Sequence, residues 1–420
     1  MTGYHSVSPL LLIMVVVLVK YSRHVRTPPA VEMQAIHSRC VRGAPFSKFF
    51  LSVHSAVFAV LLSSCSSGLP VQRDAQQAHS DELAPAYSLV CVIHGDGDYL
   101  YHDTSGNEYE ADEEALAGAS GVALRNPSAE VFIFHQRPRR HFLFFFPLPD
   151  GEFSYYRNGR LIANASYFRG QGQSRFDPEV ELYRRFRADV QPTVVRLFLY
   201  CGHEVPETGG KGYDASYPDR AFTVRDLAGG VRRFTPHAER FDLMVLSTCF
   251  GGTPYTIGTL GPSARYIIAS PDNLHLSYFD LHSLERLDLC LRDGDVPAFA
   301  ARFAHQAFDR LTRDIQTAVS VAVYDVDRVQ EFVRSVRTVY DRTLNTLNQD
   351  TQASAAALEH CDCSDLPAYM LPTMNDGVDI IYRPARFGRA QRKQNHSGWE
   401  CWRDSGPQAA TPRTTEPVLK

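Results

Sequence analysis

Two short runs set a histidine and a cysteine beside glycine: Cys201-Gly202-His203-Glu204 and Thr248-Cys249-Phe250-Gly251-Gly252. Each follows an apolar run directly, and the spacing of 46 residues from His203 to Cys249 fits one strand–loop–helix crossover with an insertion. A cysteine attacks an acyl carbon as its thiolate, and a neighbouring base favours that form. His203 is of the right type to take the proton and return it to a leaving amine. The backbone N–H of Cys249 and one near Glu204 are candidate donors for the oxyanion. Gly251 and Gly252 would let the chain turn tightly behind the sulfur. The same residues also have a plainer reading, because cysteine is often a small buried hydrophobe and a strand-end histidine can simply bond backbone. Alternation through LFLYCG points Cys201 away from the loop crevice and into the core.

Such a pair meets only if neighbouring parallel strands end on the same side, where open α/β sheets bind ligands. Apolar runs predict strands at Tyr87–Gly95, Ala129–His135, Thr193–Tyr200, Phe241–Ser247, Ala264–Ser270 and Thr317–Tyr324, with a late one around Asp379–Pro384. Helical periodicity falls at Glu108–Ala119, Asp177–Arg187, Leu281–Leu291, Val296–Thr312 and Asp325–Leu347, and Thr223 can cap a short helix through Arg225–Leu227. The runs His141–Phe146 and Glu152–Tyr156 flank Pro147, Pro149, Asp150 and Gly151 and read as a hairpin or two sheet extensions; a membrane patch is one reading of FLFFF, and a packed strand is the one adopted. Strands alternating with helices predict an α/β fold: a mostly parallel sheet with helices on both faces, a three-layer sandwich.

The chain of 420 residues carries 43 basic and 47 acidic side chains, a formal charge of -4, with no basic block interleaved with aromatics, which argues against a nucleic-acid partner. Nine widely spread cysteines do not form a dense disulfide framework. Cys361 and Cys363, with only His360 beside them, lack the spacing of a zinc site, and a disulfide to Cys401 stays open. Asp96 and Asp98 could join a calcium site, although Asp-Gly-Asp is also a common turn; no other cofactor is implied.

Basic residues Arg39, Arg42 and Lys48 precede an apolar stretch from Phe49 to Leu62, the physical parts of an export signal. Leu62-Ser63-Ser64-Cys65 resembles a bacterial lipobox, in which Cys65 is lipidated, and Met33 would give that signal an ordinary length. The expected organisation is an N-terminal extension and lipoprotein signal over 1–65, a polar linker over 66–86, one domain over 87–385 and a polar tail over 386–420. The expected location is the cell envelope, held by a lipid anchor; Ser66 after Cys65, in place of aspartate, points to an outer membrane.

The motifs in order resemble the clostripain-like cysteine peptidases. VIHGDGDYL is similar to that family's opening strand, VVRLFLYCGHEVPETGG to the strand ending in its catalytic histidine, and FDLMVLSTCFGG to the one ending in its catalytic cysteine. RYIIASPDN and TAVSVAVYDVDRVQEF resemble the next strand and loop and a later strand plus helix. The resemblance implies a caspase-like fold, a histidine–cysteine dyad at His203 and Cys249, a peptide or protein substrate and cleavage after arginine or lysine. Some members are activated by calcium or self-cleavage; Arg137, Arg139 and Arg140 could offer an exposed processing loop, but a solvated basic corner after a strand is the reading adopted. Two positions depart from the pattern: Glu204 follows the histidine where the family has glycine, and Ser247 stands two residues before the cysteine where it has aspartate. A buried cationic side chain needs a compensating anion, and Asp272 in the SPDN loop could supply it. The alternatives are a caspase-like binding or structural lipoprotein without activity, favoured by Glu204 and Ser247, and a thiol acyltransferase or esterase.

Overall fold

The computed structural model describes residues 84–330, 334 and 377–388, apart from 96–99, 103–107, 143–144, 170–175, 188–193, 236–238, 275–278 and 292–293. Its centre is a nine-stranded sheet. Five strands are parallel: β4 (Ala129–Gln136), β1 (Tyr87–His94), β9 (Val195–Cys201), β10 (Phe241–Ser247) and β11 (Ala264–Ala269), adjacent in that order. Antiparallel pairs close both edges, β7 (Gly151–Arg157) with β8 (Arg160–Tyr167) beside β4, and β12 (Val319–Asp325) with β13 (Val378–Arg383) beside β11. The parallel strands are covered on both faces, so their sequences are continuous apolar runs rather than alternations. Two short ribbons stand apart, β2 (Leu100–His102) with β3 (Glu108–Glu110), and β5 (His141–Phe142) with β6 (Phe146–Pro147).

One face is covered by α1 (Ala111–Arg125) and α5 (Val296–Asp314), which bury Ala115, Ala119, Val122, Phe299, Phe303, Ala307 and Leu311 against Leu89, Cys91, Leu199 and Val245. The other carries α2 (Asp177–Phe186), α3 (Val224–Val231) and α4 (Pro254–Leu260), packed on Val90, Phe132, Phe198 and Met244. Their starts are written in the sequence. Thr223 caps α3, with its backbone N–H donating to Asp226 Oδ2 at 3.1 Å. Thr253 Oγ1 accepts from the Thr256 amide at 3.2 Å ahead of Pro254 in α4. Asp295 Oδ1 accepts from the Ala298 amide at 3.0 Å to start α5. The expected α/β three-layer sandwich is thus the observed one.

Several local expectations change. Glu108–Glu110 is strand rather than helix, and α1 continues to Arg125 because its buried stripe runs on through Val122 and Ala123. Leu281–Leu291 breaks into a 3-10 turn, Leu281–Leu284, and one helical turn, Leu287–Cys290. Of the two runs expected to form a hairpin or sheet extensions, the second is the sheet strand β7, whereas His141–Phe142 pairs with Phe146–Pro147 in a small exposed hairpin, so the packed strand adopted for FLFFF is corrected. Of the long helix expected at Asp325–Leu347, Asp325 ends β12, residues 326–330 and Arg334 are helical, and the rest lies outside the described residues.

Candidate active site

The carboxyl ends of β9 and β10 bring the two loops together. Cys201 and Ser247 are register partners, so His203 and Cys249 each lie two residues past the last paired positions of adjacent parallel strands. The ladder extends one step further, with Gly202 N–H donating to the Ser247 carbonyl at 3.2 Å. Thr248 Oγ1 then donates to the His203 carbonyl at 2.5 Å and ties one loop to the other. Gly202 is required at this crossing, since a Cβ there would lie 2.9 Å from both His94 Cβ and Tyr200 Oη.

The cysteine loop turns by an unexpected route. Phe250, not a glycine, takes the left-handed conformation, with φ +52°. Its N–H donates to the Asp272 carbonyl at 3.1 Å, and Gly252 N–H donates to the Ser270 carbonyl at 2.9 Å, so the loop is laid on the chain leaving β11. Gly252 serves close approach: a Cβ there would stand 2.5 Å from Tyr324 Oη and 2.8 Å from the Pro271 nitrogen.

That packing delivers two groups to the sulfur. The Leu274 N–H points at Cys249 Sγ from 3.3 Å, and the Cys249 thiol donates to Asn273 Oδ1 at 3.1 Å. Cys249 itself is half-buried. An N–H aimed at sulfur favours the anion over the thiol, and a half-turn of the Asn273 amide would present a second N–H to a thiolate. By contrast, burial pushes the Cys201 thiol up to about 12 and, with the Cys201 charge, raises Cys91 well above its ordinary value. Both are inert core residues.

The remaining predicted residues separate by environment. Ser247 is fully buried and its Oγ accepts the Phe279 N–H at 2.7 Å, so it braces the loop beneath the cysteine. Asp272 is half-buried, and its Oδ1 accepts from the Asn273 N–H at 2.7 Å. Glu204 is half-buried directly after His203. Sequence reasoning passed over Asn273, Thr248 and Glu207; the Glu207 carboxylate accepts hydrogen bonds from Thr253 Oγ1 and Thr256 Oγ1 at the start of α4. Only adjacency to Asp272 and Cys249 hinted at the first two. Cys65, Asp96, Asp98, Cys361, Cys363 and Cys401 lie outside the described residues. Among the described residues no group of three or more His, Cys, Asp or Glu is arranged to hold a metal, and no helix is long and apolar enough to cross a membrane.

Solved structures with a similar arrangement include an inactive zymogen C11 protease from Parabacteroides distasonis: 13% identity, TM-score 0.43, 62% of this chain against 67% of that one. A secreted C11 cysteine protease from Bacteroides thetaiotaomicron, in complex with an irreversible peptide inhibitor, gives 12% identity and TM-score 0.42, with 58% and 67% covered. A further structure of a secreted C11 cysteine protease from that organism, "iotapain", gives 11%, 0.42, 65% and 75%. No curated protein sequence matches this chain. The sequence profile of the peptidase C11, or clostripain, family matches residues 200–388. That stretch runs from the end of β9 through the cysteine loop to the residues after β13, and its match to the clostripain family of cysteine peptidases agrees with the resemblance of the motifs.

Proposed function

We propose that the chain is an endopeptidase in which Cys249 is the nucleophile and His203 its proton partner. The observation that carries this reading is the convergence on Cys249 Sγ of the Leu274 N–H and the Asn273 amide, in a loop tied to His203 by Thr248. The thiolate attacks the scissile carbonyl carbon, and the electron pair moves onto oxygen, facing the Cys249 N–H and a donor near Glu204. Collapse expels the amine, which takes its proton from the His203 imidazolium. Water, deprotonated by His203, then hydrolyses the thioester and regenerates the thiol.

Cleavage after arginine or lysine belongs to the same proposal, with Asp272, Glu204 and Glu207 as the half-buried carboxylates on the loops around the cysteine. Ser247, buried and bonded to the Phe279 amide, is the observation that favours the second reading, a binding protein on a peptidase scaffold. We place the chain in a bacterial cell envelope, anchored through acylated Cys65; radiolabelled palmitate incorporated by the parent and not by Cys65→Ser checks this.

The decisive experiment offers the purified chain peptidyl acyloxymethyl ketones with lysine, arginine or leucine before the reactive carbon. A positional peptide library is run beside them, in reductant, with and without calcium. Labelling and turnover lost in Cys249→Ala and in His203→Ala, both folded by circular dichroism, support the enzyme. A folded parent that neither labels nor cleaves turns the reading to the binding protein. Preference for leucine removes the basic specificity.

A further inference from the structure

Residues 137–149 read Arg-Pro-Arg-Arg-His-Phe-Leu-Phe-Phe-Phe-Pro-Leu-Pro, thirteen positions without an acid. Between β4 and β7 this run leaves the sheet, and β5 and β6 pair only with each other. Among its described side chains Phe142 is 53% exposed, Phe145 80%, Phe146 53% and Leu148 39%. The root, in contrast, is fixed. Arg137 N–H donates to the Asp150 carbonyl at 2.7 Å, Leu148 N–H to the Arg140 carbonyl at 2.9 Å, and Arg139 N–H to Ser216 Oγ at 2.7 Å. Asp150 is itself buried, accepting from the Arg169 backbone N–H at 2.8 Å and from the Tyr217 hydroxyl.

A hydrogen-bonded root therefore carries an exposed aromatic tip, with the exposed Arg140 and His141 next to it in the chain. Arg137 is engaged with Glu152 at 3.0 Å, whereas Arg140 and His141 are exposed and the Arg139 guanidinium lies 5.6 Å from the Tyr217 ring centre. We propose that this hairpin docks the protein on an anionic bilayer surface, with Phe142, Phe145 and Phe146 at headgroup depth and Arg140 on lipid phosphate. Aromatic rings favour the membrane–water boundary, and exposed basic side chains beside them favour negative leaflets. A stable protein partner needs a broad patch of roughly 800 Å² per side, while two ribbon strands of two residues offer a tip suited to a deformable medium.

The hairpin leaves the carboxyl end of β4, which is parallel to β1, β9 and β10. It therefore projects from the sheet edge that carries His203 and Cys249. Resting on the peptidase reading, the substrate is then a polypeptide presented at that same surface; docking itself stands without that reading and does not require acylated Cys65.

Hydrogen–deuterium exchange on the full chain tests it locally, with vesicles of phosphatidylglycerol and phosphatidylcholine in the ratio 3:7 against phosphatidylcholine alone. Exchange over 140–148 is expected to slow at least about fivefold with the anionic vesicles and little with the neutral ones. Phe145→Ser/Phe146→Ser should abolish the slowing with an unchanged thermal midpoint, since both rings are exposed. Unchanged exchange on anionic vesicles, or equal slowing in the double variant, overturns the proposal. So does slowing that follows protein concentration without vesicles, which would mark a contact between copies of the chain. Peptidase assays are read separately, so failure of docking and failure of catalysis are told apart.

Discussion

At Cys249 the decisive neighbours are an amide side chain and a backbone N–H, neither of which carries a charge. A hydrogen bond to an ionised group contributes about 1.5–3 kcal/mol, and one pH unit corresponds to about 1.4 kcal/mol. The Asn273 oxygen that accepts from the thiol favours the neutral form, and only the turned amide, with Nδ2–H on sulfur, favours the thiolate. With the amide turned on ionisation, Asn273→Ala should raise the midpoint of Cys249 alkylation by about one pH unit while leaving the thermal midpoint nearly unchanged, and a lowered midpoint would mean that the oxygen stays on sulfur. Iodoacetamide trapping across a pH series, read by peptide mass, checks this; Cys91 and Cys201 stay silent in the native protein because burial raises both thiols. An unmoved midpoint would reduce Asn273 to a loop brace. His203 and Cys249 were legible in the sequence because glycine beside a reactive residue after an apolar run marks a strand-end loop. Asn273 was not, because its approach to sulfur depends on the β10–β11 register and on the fold of the intervening chain.

At the scale of elements, a glycine seats the cysteine loop and a buried carboxylate–imidazole hydrogen bond joins a helix to the sheet. Gly252 brings the cysteine loop against the chain leaving β11, where Tyr324 Oη also donates to its carbonyl at 2.7 Å. A methyl group there meets backbone rather than a yielding side-chain end, so Gly252→Ala should cost about 2 kcal/mol or more by urea unfolding and lower kcat/KM further than that loss of folded protein explains. On the next strands, Asp112 at the start of α1 bonds His135 of β4 at 2.8 Å. Burial alone would raise the Asp112 carboxyl, but the His135 hydrogen bond and charge, with two backbone bonds, bring it below its ordinary value. A depressed folded-state value stabilises the protein above the unfolded carboxyl range, near pH 4, and that share is lost as pH falls through the folded value. The thermal midpoint should hold from pH 7 to about 5 and drop below about 4, with Asp112→Asn lowering the neutral midpoint and flattening this part of the acid limb. The element pattern was readable wherever burial on two faces made a continuous apolar run. The edge strand β8 escaped because it is largely exposed, although Asn158-Gly159 before it, both at positive φ, are the residues of a tight hairpin turn. The FLFFF run misled because a hydrophobic sequence states a preference for leaving water, not which apolar phase receives it.

The whole molecule joins a family-matched part to one that the match does not reach. The clostripain profile begins at residue 200, inside β9, yet β9 is paired along its other side with β1, from Tyr87↔Val195 to Ile93↔Cys201. β1 is buried from end to end and is followed in the sheet by β4, β7 and β8. The site loops thus stand at the junction of the two parts, and Gly202 packs directly on His94. A fragment of residues 195–388 would expose the inner edge of β9 and both apolar faces over which β1 and β4 continue the core, an open edge that invites aggregation. Expressed alone, it should be insoluble or lack a cooperative thermal transition. Co-expression with residues 66–194 should restore a soluble complex whose Cys249 alkylates at the parent's rate, because the missing interface is strand pairing and burial rather than chain continuity. A cooperative transition from 195–388 by itself would mean that the matched part folds independently, and the strands from β1 to β8 would then be an appended layer rather than half of one core.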